Sequence, residues 1–175
     1  MNKKYLVHPP KDYLFFKDLL IEHKTLNDIA IDHYCLMTNH AHLLIQGPAL
    51  ESMAKFSQLI QRRYAYYYCG SYRWSGSVFQ RGYRSLPIDK DTYLLECGRY
   101  IERNPVKAHL CPELAAYPYS SFRYYGCGEP DDLLTPSPAY LGLAEQEGDR
   151  EAIYSEYATE SRIQEEMMGA HQLPC

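Results

Sequence analysis

Residues 34–44, YCLMTNHAHLL, determine how this chain folds. Residues 29–37, which overlap the first part of this stretch, alternate in polarity and are rich in β-branched and aromatic side chains, and this pattern predicts a β-strand. The pair Thr38-Asn39 can turn the chain into a second strand over residues 40–46. The sequence therefore predicts an antiparallel β-hairpin.

Two histidines, His40 and His42, lie on the second arm of this hairpin. Successive side chains of a strand point to opposite faces, so we expect both imidazoles on one face and Ala41, Leu43 and Ile45 on the other, toward the core. Two adjacent imidazoles are half of a metal site. By itself a His-x-His pair is weak support for a metal, because histidines that pack in a core or lie on the surface are commoner.

A second segment adds two polar side chains, Tyr100 and Asn104, that could belong to the same site. Residues 93–110, YLLECGRYIERNPVKAHL, predict a helix that ends at Asn104-Pro105. The spacing of four places Tyr100 and Asn104 on one helical face. Most of the 18 tyrosines must be packing or surface residues, and only the relation to Asn104 and to the helix end distinguishes Tyr100. Two imidazoles, an amide oxygen and a phenol together would make a reactive site.

A tyrosine beside a divalent metal has a specific chemistry. A phenol has a pKa of about 10, so it is a useful nucleophile only where the phenolate, or the charge that it attacks, is stabilised. A divalent cation on a phosphate supplies that stabilisation by polarising a non-bridging oxygen. The product would be a phosphotyrosine ester, which conserves the energy of the broken phosphate ester bond and allows rejoining without ATP. Mixed nitrogen and oxygen ligands with open positions suit Mg²⁺ or Mn²⁺.

The rest of the chain alternates between helical and extended patterns. The further predicted elements are helices over 10–24 and 51–69, a strand over 77–86, an aromatic element over 117–126, a turn-rich linker over 126–138 and an acidic helical extension over 140–168. Asp89 or Asp91 is a suitable N-cap for the helix that carries Tyr100. We therefore divide the chain into one domain over residues 1–126 and an acidic linker with a helical tail over 127–175.

Length and composition fit one compact domain with a small appendage. The chain has 175 residues, of which 46% are apolar. No apolar run approaches the ~20 residues of a membrane span, and the amino terminus lacks the apolar core of a secretion signal, so we expect a cytoplasmic protein without membrane contact. The six cysteines form no C-x-x-C pair, which favours free thiols over a disulfide framework or a zinc site.

The net charge of -4 conceals two regions of opposite sign. Residues 55–123 carry eleven basic and five acidic side chains, whereas residues 124–175 carry two and eleven. Basic residues mixed with aromatics, as in RRYAYYYCGSYRW (62–74), suit phosphate contacts and base stacking. A solvated face with tyrosines packed beneath it explains the same composition equally well. On the first interpretation, the candidate DNA contacts are Arg62, Arg63, Arg81, Arg84 and Arg103.

Four segments together resemble a known family. They are YCLMTNHAH (34–42), FQRGYRS (79–85), YIERNPVKAHL (100–110) and YPYSSFRYYG (117–126). In this order they resemble the REP-associated tyrosine transposases, which are related to the insertion-sequence single-strand transposases of the HUH endonuclease superfamily. The resemblance covers about residues 10 to 126.

The resemblance implies a role for each candidate residue. His40 and His42 would be paired metal ligands, Tyr100 the nucleophile and Asn104 the third ligand, with Mg²⁺ or Mn²⁺ as the cofactor. The implied fold is an α+β domain, ferredoxin-like, in which helices flank an antiparallel sheet. The implied activity is cleavage and rejoining of single-stranded DNA with an imperfect hairpin, through a 5'-phosphotyrosine adduct, by a monomer or homodimer. One departure is that only the short segment Tyr5-Leu6-Val7 precedes His8-Pro9-Pro10 and the first helix, so the family's first strand is expected to be short or absent.

Two other functions remain open from the sequence. A catalytically inactive or domesticated module would bind hairpin DNA without cleaving it, and the shortened first strand favours this alternative. A metal-dependent hydrolase would use the histidines without Tyr100 and would form no covalent adduct. Substitution of Tyr100 by phenylalanine would distinguish the three.

Overall fold

The computed structural model describes residues 10–79, 85–88 and 93–160. The fold is α+β, with a two-stranded antiparallel sheet flanked by helices, as predicted. The elements in chain order are α1 (Lys11–Leu26), β1 (Ala30–Leu36), β2 (Ala41–Gln46), α2 (Leu50–Tyr72), α3 (Leu94–Lys107), a 3-10 turn (Leu114–Ala116), α4 (Phe122–Cys127), α5 (Pro138–Leu141) and α6 (Glu147–Thr159). None of the helices in these residues is long and apolar enough to cross a membrane.

The strands β1 and β2 form the predicted hairpin, in which Cys35 lies opposite His42. The pairing register shifts between Ile31 and His33, which leaves Asp32 as an extra residue in β1. A bulge of this kind reverses the alternation of side chains along a strand. As a result, Ile31 packs into the cluster beneath α1 and α2, whereas His33 and Cys35 lie on the opposite face, toward α3.

Helices α1 and α2 cover one face of the hairpin. Their apolar stripes meet in a large core, in which Leu20, Phe56 and Tyr64 are fully buried. The apolar stripe of α2 is therefore part of the core, in agreement with the prediction of a solvated face that has tyrosines packed beneath it. Helix α2 begins one residue earlier and ends three residues later than predicted, at Tyr72, and Arg73 follows it in the left-handed region with a φ of 47°.

Helix α3 covers the other face, so the predicted core-facing set of β2 holds for Leu43 and Ile45 but is incomplete. The residues expected to face the core were Ala41, Leu43 and Ile45, but Leu44 is the most buried side chain of β2. Leu44 belongs to a second cluster beneath α3, whereas Leu43 and Ile45 pack partly buried against the α1 and α2 side. Ala41 is exposed. Because helices lie on both faces of the hairpin, strict alternation between core and solvent does not hold.

The aromatic element supplies the other neighbour of β1. Leu36 N donates to Tyr119 O at 2.9 Å, and Ser121 N donates to Tyr34 O at 3.0 Å. A bridge pairs Cys35 with Ser120. The element therefore packs across the domain as predicted, and β1 is flanked on both edges.

Helix α3 continues past the predicted end. Asn104-Pro105 was expected to terminate it, but Pro105 lies inside the helix, which ends at Lys107. A proline removes one backbone donor, here the one that would reach Ile101 O. The side-chain amide of Asn104 donates to that same oxygen at 3.1 Å, and this bond offsets the loss.

The strand predicted over residues 77–86 is wrong where the structure describes it. Residues 77–79 and 85–88 are irregular, and residues 80–84 lie outside the described part of the chain. The alternative N-caps Asp89 and Asp91 and the shortened first strand at residues 5–7 also lie outside it. Within the C-terminal region, Leu133, Tyr140 and Tyr154 are buried in the same core as α1 and α2.

Candidate active site

The two predicted metal ligands are His40, just before β2, and His42, within it, and their ring nitrogens lie next to each other. His40 Nε2 and His42 Nε2 are 2.9 Å apart, and the two rings are almost perpendicular, at 87°. His40 Nδ1 lies 2.7 Å from the Asn39 side-chain oxygen, an acceptor. The hydrogen bond to Asn39 therefore assigns the proton of a neutral His40 to Nδ1 and leaves the lone pair on Nε2.

Burial keeps His42 in the form that binds metals. The pKa of His42 is lowered to about 4, mainly by burial and secondarily by the nearby His40. The imidazole is therefore neutral near pH 7. A metal binds only this form of histidine, so metal binding by His42 would require little proton release at that pH.

Tyr100 lies beside this pair. Its ring centroid is 6.4 Å from that of His42, and the two rings meet edge to face at 81°. Tyr100 is partly buried at the edge of the apolar cluster that joins α3 to the hairpin through Leu44 and Ile101. Lys107 Nζ lies 4.9 Å from the centroid of the Tyr100 ring, so a positive charge accompanies the phenol.

Asn104 lies one helical turn after Tyr100 and is also partly buried. Its Nδ2 donates to Tyr100 O at 2.9 Å and to Ile101 O at 3.1 Å. Carbonyls accept hydrogen bonds only, so these contacts assign the nitrogen to the helix side of the amide. The amide oxygen is then the atom that can serve as a metal ligand.

The donor set fits an octahedral cation. Two ligands at about 2.0–2.1 Å from Mg²⁺ and at right angles to each other are about 2.9 Å apart, which matches the 2.9 Å between the two Nε2 atoms. In the described residues, no group of three or more His, Cys, Asp or Glu side chains could hold a metal. Among the described residues, a neutral oxygen such as that of the Asn104 amide is therefore the kind of third ligand that this pair leaves open.

A buried carboxylate fixes the helix that carries Tyr100, and the sequence reasoning missed it. Glu102 Oε1 accepts from His33 Nδ1 at 2.9 Å and from Ser121 Oγ at 2.5 Å, while Oε2 accepts from Tyr154 OH at 2.8 Å. Glu102 is only 1% exposed. Burial, and then the charge of Glu102, raise the pKa of Tyr154, so this phenol stays protonated and donates. A signal was available, because Glu102 interrupts the buried stripe of α3.

Close packing on Gly98 strengthens the same attachment. A Cβ atom at Gly98 would overlap the ring of His33. Only glycine therefore lets α3 approach β1 closely enough for His33 to reach Glu102. Glu102 and Gly98 together set the position of α3 on the hairpin, two residues on either side of Tyr100.

The predicted DNA contacts are in different environments. Arg62 and Arg63 are exposed on α2, and Arg81 and Arg84 lie outside the described residues. Arg103 Nη1 donates to Ala158 O at 2.8 Å and to two further carbonyls at the end of α6. The role of these arginines in DNA binding stays a prediction, although the guanidinium of Arg103 already has partners within the protein.

The family follows from comparison with known proteins. The family model described as "Transposase IS200 like" matches residues 2–104, more than half of the chain. The chain belongs to the IS200-like transposase family. The matched segment ends at Asn104 and includes His40, His42 and Tyr100. The chain has no match among the curated proteins or the solved structures.

Family membership confirms the resemblance and gives the general function. A transposase cuts and joins DNA, so this IS200-like transposase has a transposase-like role with DNA as its partner. The matched segment contains β1, β2 and most of α3. Elements α4 to α6, which hold α3 through Ser121, Tyr154 and the α6 carbonyls, lie beyond the match.

Proposed function

We propose that this IS200-like transposase cleaves and rejoins single-stranded DNA with Tyr100 as its nucleophile. The observation that carries the proposal is the contact between the Tyr100 ring, on α3, and His42 of β2, which is paired with His40 just before that strand. Among the tyrosines that the structure describes, Tyr100 combines a partly buried ring with a metal-suited histidine pair and a nearby cation.

The side chains divide the work between holding a cation and attacking the DNA. His40, His42 and Asn104 would hold Mg²⁺ or Mn²⁺ through two ring nitrogens and one amide oxygen. When bound, the cation would polarise a non-bridging oxygen of the scissile phosphate. The apolar contacts of α3 with Leu44 keep Tyr100 at a fixed distance from the ligands.

The proposed step conserves the energy of the cleaved bond. Tyr100 loses its proton as its oxygen bonds to phosphorus, and the bond from phosphorus to the 3' oxygen breaks. The 3' oxygen leaves as a hydroxyl, and the 5' side of the strand stays on Tyr100 as a phosphotyrosine ester. A 3'-hydroxyl attacks this ester in the reverse step. The charge of Lys107 beside the ring would favour the phenolate as it forms.

The proposed substrate is single-stranded DNA that contains an imperfect hairpin. Support comes from exposed basic and aromatic side chains along the second half of α2 and just after it, namely Arg62, Arg63, Tyr66, Arg73 and Trp74. Guanidinium groups neutralise phosphates, and exposed aromatic rings stack on unpaired bases. A double-stranded stem presents neither unpaired bases nor free base faces, so these rings favour the single-stranded parts.

The decisive test is formation of a covalent protein–DNA adduct. Purified protein is mixed with single-stranded hairpin DNA from the flanks of its own gene, with Mn²⁺, Mg²⁺ or chelator, and analysed on a denaturing gel. We expect a metal-dependent adduct that is lost in Tyr100→Phe and in His40→Ala. Tyr66→Phe is the matched control, because it removes the hydroxyl of an exposed tyrosine on α2.

Three outcomes would contradict the proposal. An adduct that persists in Tyr100→Phe would assign the nucleophile to another residue. DNA binding without an adduct under any metal would indicate an inactive hairpin-binding module. Multiple turnover without an adduct, undiminished in Tyr100→Phe, would indicate a metal-dependent hydrolase.

A further inference from the structure

Pro105 occupies an unusual place in α3. It is buried within the helix, two residues before the last residue, Lys107. Proline has no backbone N–H, and in a helix this missing donor would have reached the carbonyl four residues earlier. That carbonyl belongs to Ile101. A buried or partly buried carbonyl without a donor is unfavourable, so a substitute donor is required.

The substitute is the side chain of Asn104. Its Nδ2 carries two hydrogens, and these reach Ile101 O at 3.1 Å and Tyr100 O at 2.9 Å. Asparagine is a poor residue for a helix interior, and a residue before proline is disfavoured in helical conformation. The adjacent residues Asn104 and Pro105 therefore explain each other's place in α3. The Asn104 amide supplies the donor that Pro105 lacks, and Pro105 leaves Ile101 O available to that amide.

We infer that Pro105 is a positioning residue that orients the Asn104 amide for metal binding by leaving Ile101 O open to Nδ2. This inference rests on the proposed function, in which the Asn104 oxygen is a metal ligand. An amide has two orientations related by a half turn. With nitrogen toward the helix it makes two hydrogen bonds, whereas the reverse orientation would set its oxygen against two carbonyl oxygens. Pro105 thus selects the orientation that presents oxygen to a cation.

The substitution Pro105→Ala tests this directly. It returns a backbone N–H to position 105, which then competes with Nδ2 for Ile101 O. The amide then shares one of its two acceptors and is held less firmly. We expect Mn²⁺ to bind about 2- to 10-fold more weakly, which corresponds to the usual net contribution of one hydrogen bond. The dissociation constant is measured by titration calorimetry on the full chain without DNA. The melting temperature is expected not to fall in parallel, because alanine suits a helix interior better than proline.

A double-mutant cycle separates positioning from general damage. Pro105→Ala is made in the wild-type protein and in Asn104→Ala. We expect the loss of Mn²⁺ affinity in the first background and no further loss in the second, because the amide to be oriented is already absent. Equal losses in both backgrounds would overturn the inference. Pro138→Ala, at the start of α5, is the control for loss of a proline elsewhere and should leave the affinity unchanged.

Two further measurements keep the test independent of folding and of the metal. Pro105→Val restores the N–H with an apolar side chain of similar size, and it should reproduce the effect of Pro105→Ala. In metal-free protein, the Asn104 side-chain N–H groups should exchange with solvent faster in both variants than in wild type. Unchanged exchange would overturn the inference about Pro105 and would leave the proposed function unaffected. Faster exchange in a protein whose wild type binds no Mn²⁺ would support the orienting role of Pro105 but refute the metal site of the proposed function.

Discussion

The two sides of helix α3 differ in how they are held. On one side, Tyr100 and Asn104 are partly buried; the Tyr100 ring meets His42 edge to face, and the Asn104 amide donates to Tyr100 O. On the other, Glu102 is almost fully buried and accepts three hydrogen bonds from three different segments. The first side, which carries the proposed nucleophile and metal ligand and is called the reactive side below, therefore also depends for its geometry on the side that faces away from it.

This division has a physical rationale. A nucleophile and a metal ligand must stay accessible to phosphate, so they cannot be enclosed in a core. Precise placement then has to come from rigid neighbours on the same helix. In this IS200-like transposase the neighbours are Glu102 and Gly98, both within two residues of Tyr100. Substitutions on the two sides should therefore affect stability very differently.

The largest effect is expected for Glu102→Ala. It leaves the His33, Ser121 and Tyr154 donors without their acceptor and opens a cavity beside them. Loss of one member of a buried charged network costs about 3–5 kcal/mol. Urea denaturation measures the free energy of unfolding, with the exposed Glu113→Ala as the control for loss of a carboxylate. A loss below about 1 kcal/mol would mean that the network does not hold α3.

Gly98→Ala is expected to have the next largest effect. It should lower the free energy of unfolding, although alanine has a higher helix propensity than glycine. Alanine normally stabilises a helix interior relative to glycine by about 1 kcal/mol. At Gly98, however, the new Cβ would overlap the buried His33 ring, and overpacking of this kind costs about 1–3 kcal/mol. Gly70→Ala in α2 is the matched control, because nothing lies within 4 Å of its Cβ position.

The two glycine variants should therefore differ in sign. Gly70→Ala is expected to raise the free energy of unfolding slightly, and Gly98→Ala to lower it. Adduct formation should also slow in Gly98→Ala, since α3 must move away from the hairpin and carry Tyr100 with it. Equal stabilisation by both would show that α3 can move without cost.

The elements that sequence could predict are those with local signals. The hairpin followed from alternation around Thr38-Asn39, and the helices from apolar stripes within single segments. The strand predicted over residues 77–86 was wrong in its described parts because aromatic and branched residues there do not pair with another strand. In β2 the core-facing prediction holds for Leu43 and Ile45 but not for Ala41, and it missed the burial of Leu44, since helices on both sides leave no solvent face to define an alternation.

Of the candidate site, the sequence predicted the four candidate side chains but not the contacts that support them. His40, His42, Tyr100 and Asn104 have short spacings that a strand or a helix converts into neighbours. The partners of Glu102 have no such spacing, because His33 is 69 residues away and Tyr154 is 52. Contacts between segments so distant in sequence depend on the tertiary fold and leave no periodic pattern.

The smallest predicted effect concerns the reactive side and appears only in acid. The pKa of His42 in the folded protein is lowered to about 4 by burial and by His40, whereas an unfolded histidine has a pKa of about 6.5. Between these values the unfolded state binds more protons at this position, so the free energy of unfolding falls as the pH is lowered from about 6.5 to about 4. Because solvent reaches the partly exposed ring, we expect His42 to account for a loss on the order of 1–2 kcal/mol.

Urea denaturation at pH 7 and at pH 4.5 measures this loss. In His42→Gln the difference between the two pH values should shrink by the amount that His42 contributes, since glutamine does not titrate. His109→Asn is the control, because His109 is exposed and asparagine tolerates its φ of 55°. If His42→Gln and His109→Asn changed the pH dependence equally, the depressed pKa would not belong to the histidine pair. The reactive side would then be as well solvated as the surface, and burial would not favour the neutral, metal-binding form of His42.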